Sequence, residues 1–163
     1  MAFLEKLSLV LNRILVAIGG IFLVGMCILT CSNILFRLTW IPIRGTYELM
    51  GFFGAVVAAF ALGHTQKRRG HISVDVLVRS FPPKARKGLQ MLNDVLCMIF
   101  FTLAAWQVAR KAGTLLETGE VTETLRIVYY PFTYAVALGC IVLVLVFLID
   151  LLKALRSDKE VAS

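Results

Sequence analysis

The sequence predicts an all-α integral membrane protein: four transmembrane helices, with a short amphipathic helix lying in the membrane plane between the second and third. Three observations carry that prediction. Hydrophobic residues make up 59% of the 163 positions. Four stretches approach the roughly 20 apolar residues needed to cross a hydrocarbon core about 30 Å thick. Seven of the seventeen Lys and Arg residues fall within residues 64–88, between two of those stretches.

The first span is expected over residues 14–36, where no polar face interrupts the early turns as it would on a helix of a soluble bundle. Lys6 and Arg13 precede this run, as in a signal peptide. The run exceeds the usual apolar core of such a peptide and no small-x-small site closes it, so a retained helix is predicted. Thr30, Ser32 and Asn33 within it read as helix-contact groups.

The first outer connection follows, with Pro42 restricting its predecessor and Gly45 permitting a tight bend. Thr46 is placed to cap the second helix. Trp40 and Tyr47 suit the headgroup layer. Glu48, just inside the helix start, is expected to pair with Arg37, with Arg44 or with another subunit, against a simpler reading in which it is solvated.

The second span is expected over residues 46–66. Gly51, Ala55, Ala59 and Gly63 recur along it every four residues, a spacing that lets another backbone approach closely. The pattern leaves open whether that backbone belongs to the same chain or to a partner.

Lys67, Arg68, Arg69 and Gly70 then suit a helix end, with cations near its carbonyls. Val74, Leu77, Val78 and Phe81 fall on one helical face, which predicts the in-plane helix over residues 72–82, ended by Pro82 and Pro83. His71 is expected to pair with Asp75, four positions on.

The third span is assigned to residues 87–110. Its helix is expected to run on through Leu116 until Gly119 interrupts it, and a helix of that length implies tilt, a break or protrusion. A polar second outer connection leads to the fourth span, residues 127–150, with Tyr129 and Tyr130 at its aromatic edge.

Four spans put both termini and the basic central segment on one side, which then carries twelve Lys and Arg against five on the other. Short basic loops stay cytoplasmic, so both termini are read as cytoplasmic. The net charge of +7 lies between spans, so anionic lipids rather than nucleic acid are the expected counterions.

Chemistry is sparse. Asp94 is the main ionisable candidate inside a span, and it reads as an interfacial group. His64 and His71 are the only histidines and flank one turn, a poor basis for haem ligation across a bundle. Cys27, Cys31, Cys97 and Cys140 read as packing residues in helix interfaces. No catalytic, metal or cofactor set emerges. The residues alone favour a membrane component defined by its surfaces; a self-contained homodimeric carrier and a membrane anchor of a respiratory enzyme are the alternatives.

The outer segment Arg44-Gly45-Thr46-Tyr47-Glu48-Leu49, the small-residue second helix, and Gly70-His71-Ile72-Ser73-Val74-Asp75 followed by Phe81-Pro82 and Arg86 resemble one family. It is the DctQ-like small membrane subunit of tripartite ATP-independent periplasmic (TRAP) transporters, and the resemblance covers residues 14–149. Glu48 matches the acidic position at the start of the family's second span, and Phe132 the aromatic after the proline opening the last.

The resemblance implies a bacterial inner-membrane scaffold that braces a large multispan transport subunit. It also implies a periplasmic solute-binding protein, and import of organic anions such as dicarboxylates or sialic acids on an ion gradient, generally sodium. It divides the residues into Gly51, Ala55, Ala59 and Gly63 for helix contact, Arg44 and Glu48 for a polar lock, and His71 and Asp75 for the cytoplasmic turn.

Overall fold

The computed structural model describes residues 2–39, 41–67 and 83–161, with side chains over 5–39, 41–67, 88–89 and 91–153. The predicted in-plane helix over residues 72–82, with His71 and Asp75, lies outside the described residues. Four helices carry the rest: α1 (Ala2–Leu38), α2 (Thr46–Lys67), α3 (Pro83–Thr118) and α4 (Tyr130–Val161). All four are long and apolar enough to cross a membrane, with mean hydropathy from 1.5 to 3.0 over their best windows.

The start of α2 differs from the sequence expectation for an identifiable reason. Thr46 does not cap α2: the carbonyl of Gly45 accepts the first helical bond, from the Leu49 amide, while the Thr46 hydroxyl donates back to the Ile43 carbonyl at 2.8 Å. The α4 helix starts at Tyr130, and Ile127 and Val128 before it are used by the preceding loop, in a hydrogen bond to Thr122 and a bridge to Val121. The α3 helix has no break before Thr118, and Gly119 ends it in the left-handed region at φ 64°.

Spatial order differs from chain order. The α4 helix packs broadly against α3 and α2 and lightly against α1, while α1 leans mainly on α2. In the most apolar window of each helix, 44% of α4 is buried but only 11% of α1 and of α3. The result is a central α4 with α1 and α3 on opposite flanks. Their outer faces carry large apolar side chains such as Ile21, Ile28, Phe100 and Trp106, which hydrocarbon can solvate.

One apolar cluster joins α1, α2 and α4 through Leu15, Val56, Ala59, Phe60 and Val142. Phe22 meets Phe53 edge-on at 5.0 Å across α1 and α2, and Phe101 stacks with Phe147 at 6.2 Å across α3 and α4. The tightest approach is at Gly139 of α4. A Cβ there would come 2.7 Å from the Ala59 carbonyl oxygen and 2.9 Å from its Cβ, so the two helices touch nearly backbone to backbone. Thr30 bonds the Met26 carbonyl within α1 and reaches Met50 Sδ on α2, matching its expected role between helices.

Candidate functional site

The structure brings the two outer connections together at the start of α2. Glu48 sits in the first turn, where the helix dipole favours a carboxylate. Its Oε1 accepts the Thr124 amide at 2.8 Å and its Oε2 accepts the Leu125 amide at 3.2 Å, a charge-assisted pair of bonds spanning 76 and 77 residues of chain. The expected partners within the chain, Arg37 and Arg44, form no ion pair with it, and both are exposed. Backbone amides, not a cation, hold the carboxylate.

Those amides are presented by a compact turn. Thr122, 2% exposed, donates its amide to the Ile127 carbonyl at 2.9 Å, and its hydroxyl accepts the Ile127 amide at 3.1 Å. Its carbonyl accepts the Arg126 amide, with Arg126 itself at φ 53°. This arrangement closes the loop and leaves residues 124 and 125 with outward amides.

A second contact reinforces the first. Gly45 has φ 75°, and a Cβ there would run into the Leu125 side chain. Asn33 Oδ1 accepts the Ile43 amide at 3.2 Å, tying the first connection to α1. One turn below Glu48, Phe52 stacks on Phe132 at 4.6 Å and meets Tyr129 edge-on at 5.4 Å. The carboxylate and glycine contacts join the head of α2 to the α3–α4 loop, and the aromatic stack joins α2 to the first turn of α4.

Glu48→Gln is expected to lower thermal stability, because one of the two oxygens, each of which accepts a backbone amide, becomes an NH2 group that repels its donor. Faster amide hydrogen exchange at Thr124 and Leu125 would report the loosened loop. Wild-type exchange at both positions would remove Glu48 from this role.

The small-residue stripe of α2 divides. Gly51 and Ala55 are exposed, and a Cβ at Gly51 would meet nothing within 4 Å. Ala59 is 4% exposed against Gly139, and Gly63 is buried, with a Cβ position only 2.5 Å from Asn12 Oδ1 of α1. A four-residue step advances about 40° beyond a full turn at 3.6 residues per turn, so the stripe winds around the helix. Its first half points away from this chain and its second half packs within it. Ala58 is also exposed and extends the outward half.

Sequence reasoning missed Thr122, Leu125 and Gly139. A Thr inside a short polar loop is a weak turn signal, and Gly139 falls in an apolar run where small residues are common. All four cysteines are free: Cys140 is buried, in keeping with a packing role, Cys97 is half-buried, and Cys27 and Cys31 are exposed on this chain. Asp94 is 8% exposed and has an interaction of its own. Among the described residues no group of three or more His, Cys, Asp and Glu side chains could hold a metal ion.

The family described as "Tripartite ATP-independent periplasmic transporters, DctQ component" matches residues 26–157. No curated protein matches the chain.

Proposed function

The chain belongs to the DctQ component family of tripartite ATP-independent periplasmic transporters, and from this premise we propose that it braces a large multispan subunit through the outward half of the α2 stripe. It is a non-catalytic small membrane subunit of a TRAP-type transporter. Family membership implies the partner subunits of such a system.

The finer reading is that the large subunit carries the alternating-access path. A periplasmic solute-binding protein delivers an organic anion such as a dicarboxylate or sialic acid, and an ion gradient, generally sodium, drives uptake. A path for a polar anion calls for charges, donors or broken helices near midplane. The four helices here present mainly apolar side chains along their spans, and helices α2, α3 and α4 run unbroken through them. Both termini and the basic segment between α2 and α3 are assigned to the cytoplasmic side, with anionic lipids as their counterions.

The observation that carries the brace is the exposure of Gly51, Ala55 and Ala58 on one face of α2, with Ala59 turned inward. Small residues allow a foreign helix to approach until backbones nearly touch. Arg44, exposed at the head of the same helix, is assigned to the partner side of the outer edge. Glu48 holds the loop that frames it.

Ala55→Leu and Ala59→Leu separate the two halves. Ala55→Leu is expected to leave the isolated subunit's melting temperature near wild type while cutting recovery of the large subunit in affinity copurification. Ala59→Leu is expected to lower the melting temperature itself, by overpacking worth about 1–3 kcal/mol. Equal large-subunit recovery with wild type and Ala55→Leu would move the interface to another face. Ion-driven uptake by this chain reconstituted alone would overturn the scaffold reading.

A further inference from the structure

We propose that the cleft between the start of α1 and the end of α2 is a binding site for the phosphate of an anionic phospholipid, with its acyl chains laid along α1. The inference rests on the chain spanning a membrane and is independent of which transported solute the complex carries.

The cleft has a volume of about 400 Å³ and is lined by Leu9, Asn12, Arg13, Val16, His64 and Lys67. Two basic side chains and an imidazole therefore face one space, with no carboxylate among the lining groups. Arg13 and Lys67 form no ion pair among the described residues. Lys67 also borders a neighbouring cleft of about 290 Å³ containing Glu5, Asp150 and Lys153. The carboxylates there are already engaged: Glu5 with Lys153 at 3.0 Å, and Asp150 in an interaction of its own. Among the described residues, the positive charge on the α1–α2 side has no ion-pair partner.

The depth is right for a headgroup. Arg13 and Arg37 are separated by about 36 Å along α1 at 1.5 Å per residue, slightly more than a hydrocarbon core, so Arg13 lies at a membrane surface. The back wall is polar as well. Asn12 is 3% exposed; its Nδ2 donates to the Ser8 carbonyl at 3.0 Å, while its Oδ1 is buried without a hydrogen-bond partner. That oxygen faces Gly63 of α2, whose Cβ position would lie 2.5 Å from it, so Asn12 gives the cleft a polar wall rather than an acceptor open to its contents.

What distinguishes a lipid from free phosphate is the wall below. Leu9, Arg13, Val16, Gly20 and Leu23 follow one another at three- and four-residue steps on an exposed face of α1. Gly20 has open space where a Cβ would stand. A phosphate held by Arg13 and Lys67 would thus have an apolar track for its chains leading into the membrane.

The test is native mass spectrometry of the full-length chain, purified from membranes in mild detergent and titrated with phosphatidylglycerol, phosphatidylcholine or inorganic phosphate. Wild type should retain phosphatidylglycerol in preference to phosphatidylcholine. Arg13→Gln with Lys67→Gln should weaken that retention about thirtyfold, on the usual contribution of a basic residue at an anionic surface. Arg37→Gln, at the other end of α1, should leave it unchanged. Equal retention by the double variant, or equal retention of the two lipids, would overturn the site, and displacement of the lipid by millimolar inorganic phosphate would assign it to a free anion. Should the double variant fail to fold, photoactivatable phosphatidylglycerol on the wild-type chain decides: crosslinks within residues 9–16 and 60–67 support the site, and crosslinks only elsewhere refute it.

Discussion

Replacing Gly139 by Ala is expected to lower the unfolding temperature of the isolated subunit more than any other single-methyl change in its membrane helices. The added Cβ falls 2.7 Å from the Ala59 carbonyl oxygen and 2.8 Å from the carbonyl carbon, so backbone rather than a flexible side-chain tip must give way. Separating α2 from α4 also loosens the cluster of Val56, Ala59, Phe60 and Val142 around that contact. Overpacking of this kind costs about 1–3 kcal/mol, and the better helix propensity of Ala returns at most about 1 kcal/mol of it. Gly51→Ala is the matched control, since its Cβ would meet nothing within 4 Å. Thermal unfolding in detergent should show Gly139→Ala well below wild type and Gly51→Ala at or slightly above it. Coincident melting of all three proteins would mean that α2 and α4 do not pack as closely as described.

Gly45→Ala should have the second large effect, confined to the outer edge. Gly45 combines φ 75° with a Cβ position occupied by Leu125. The left-handed conformation alone costs a residue with a side chain about 1–2 kcal/mol, and moving Leu125 draws its amide away from Glu48 Oε2. Hydrogen exchange should accelerate across residues 122–127 while the amides at the centre of α4 stay protected. Because Gly45 and Glu48 restrain the same loop, Gly45→Ala combined with Glu48→Gln should cost less than the sum of the single changes. Strict additivity would show two independent contacts.

Several parts of this picture are legible in the residues, and others are not. Glu48 stands out by position, as a carboxylate at the head of an apolar helix. Its partners do not, because a backbone amide belongs to every non-proline residue and carries no side-chain signature. An argument from sequence reaches for Arg37 and Arg44, whereas folding supplies the amides of Thr124 and Leu125. The α2 stripe is likewise visible as composition, yet a stripe of period four drifts around a helix of 3.6 residues per turn. Its ends face different neighbours, and only the placement of α1 and α4 tells the outward Gly51 and Ala55 from the inward Ala59 and Gly63.

By itself the sequence determined that four apolar helices would form, that basic charge would gather between the second and third, and which family the motifs resemble. These are properties of composition and order, set by what each segment gains on leaving water and by which ends must remain in it. The tertiary structure alone decided that α4 lies at the centre, that Gly139 meets Ala59, and that a turn closed by Thr122 delivers two amides to Glu48. The physical reason is that burial in lipid sums along the chain residue by residue, whereas a steric approach or a hydrogen bond depends on the orientation of groups that the chain leaves dozens of residues apart.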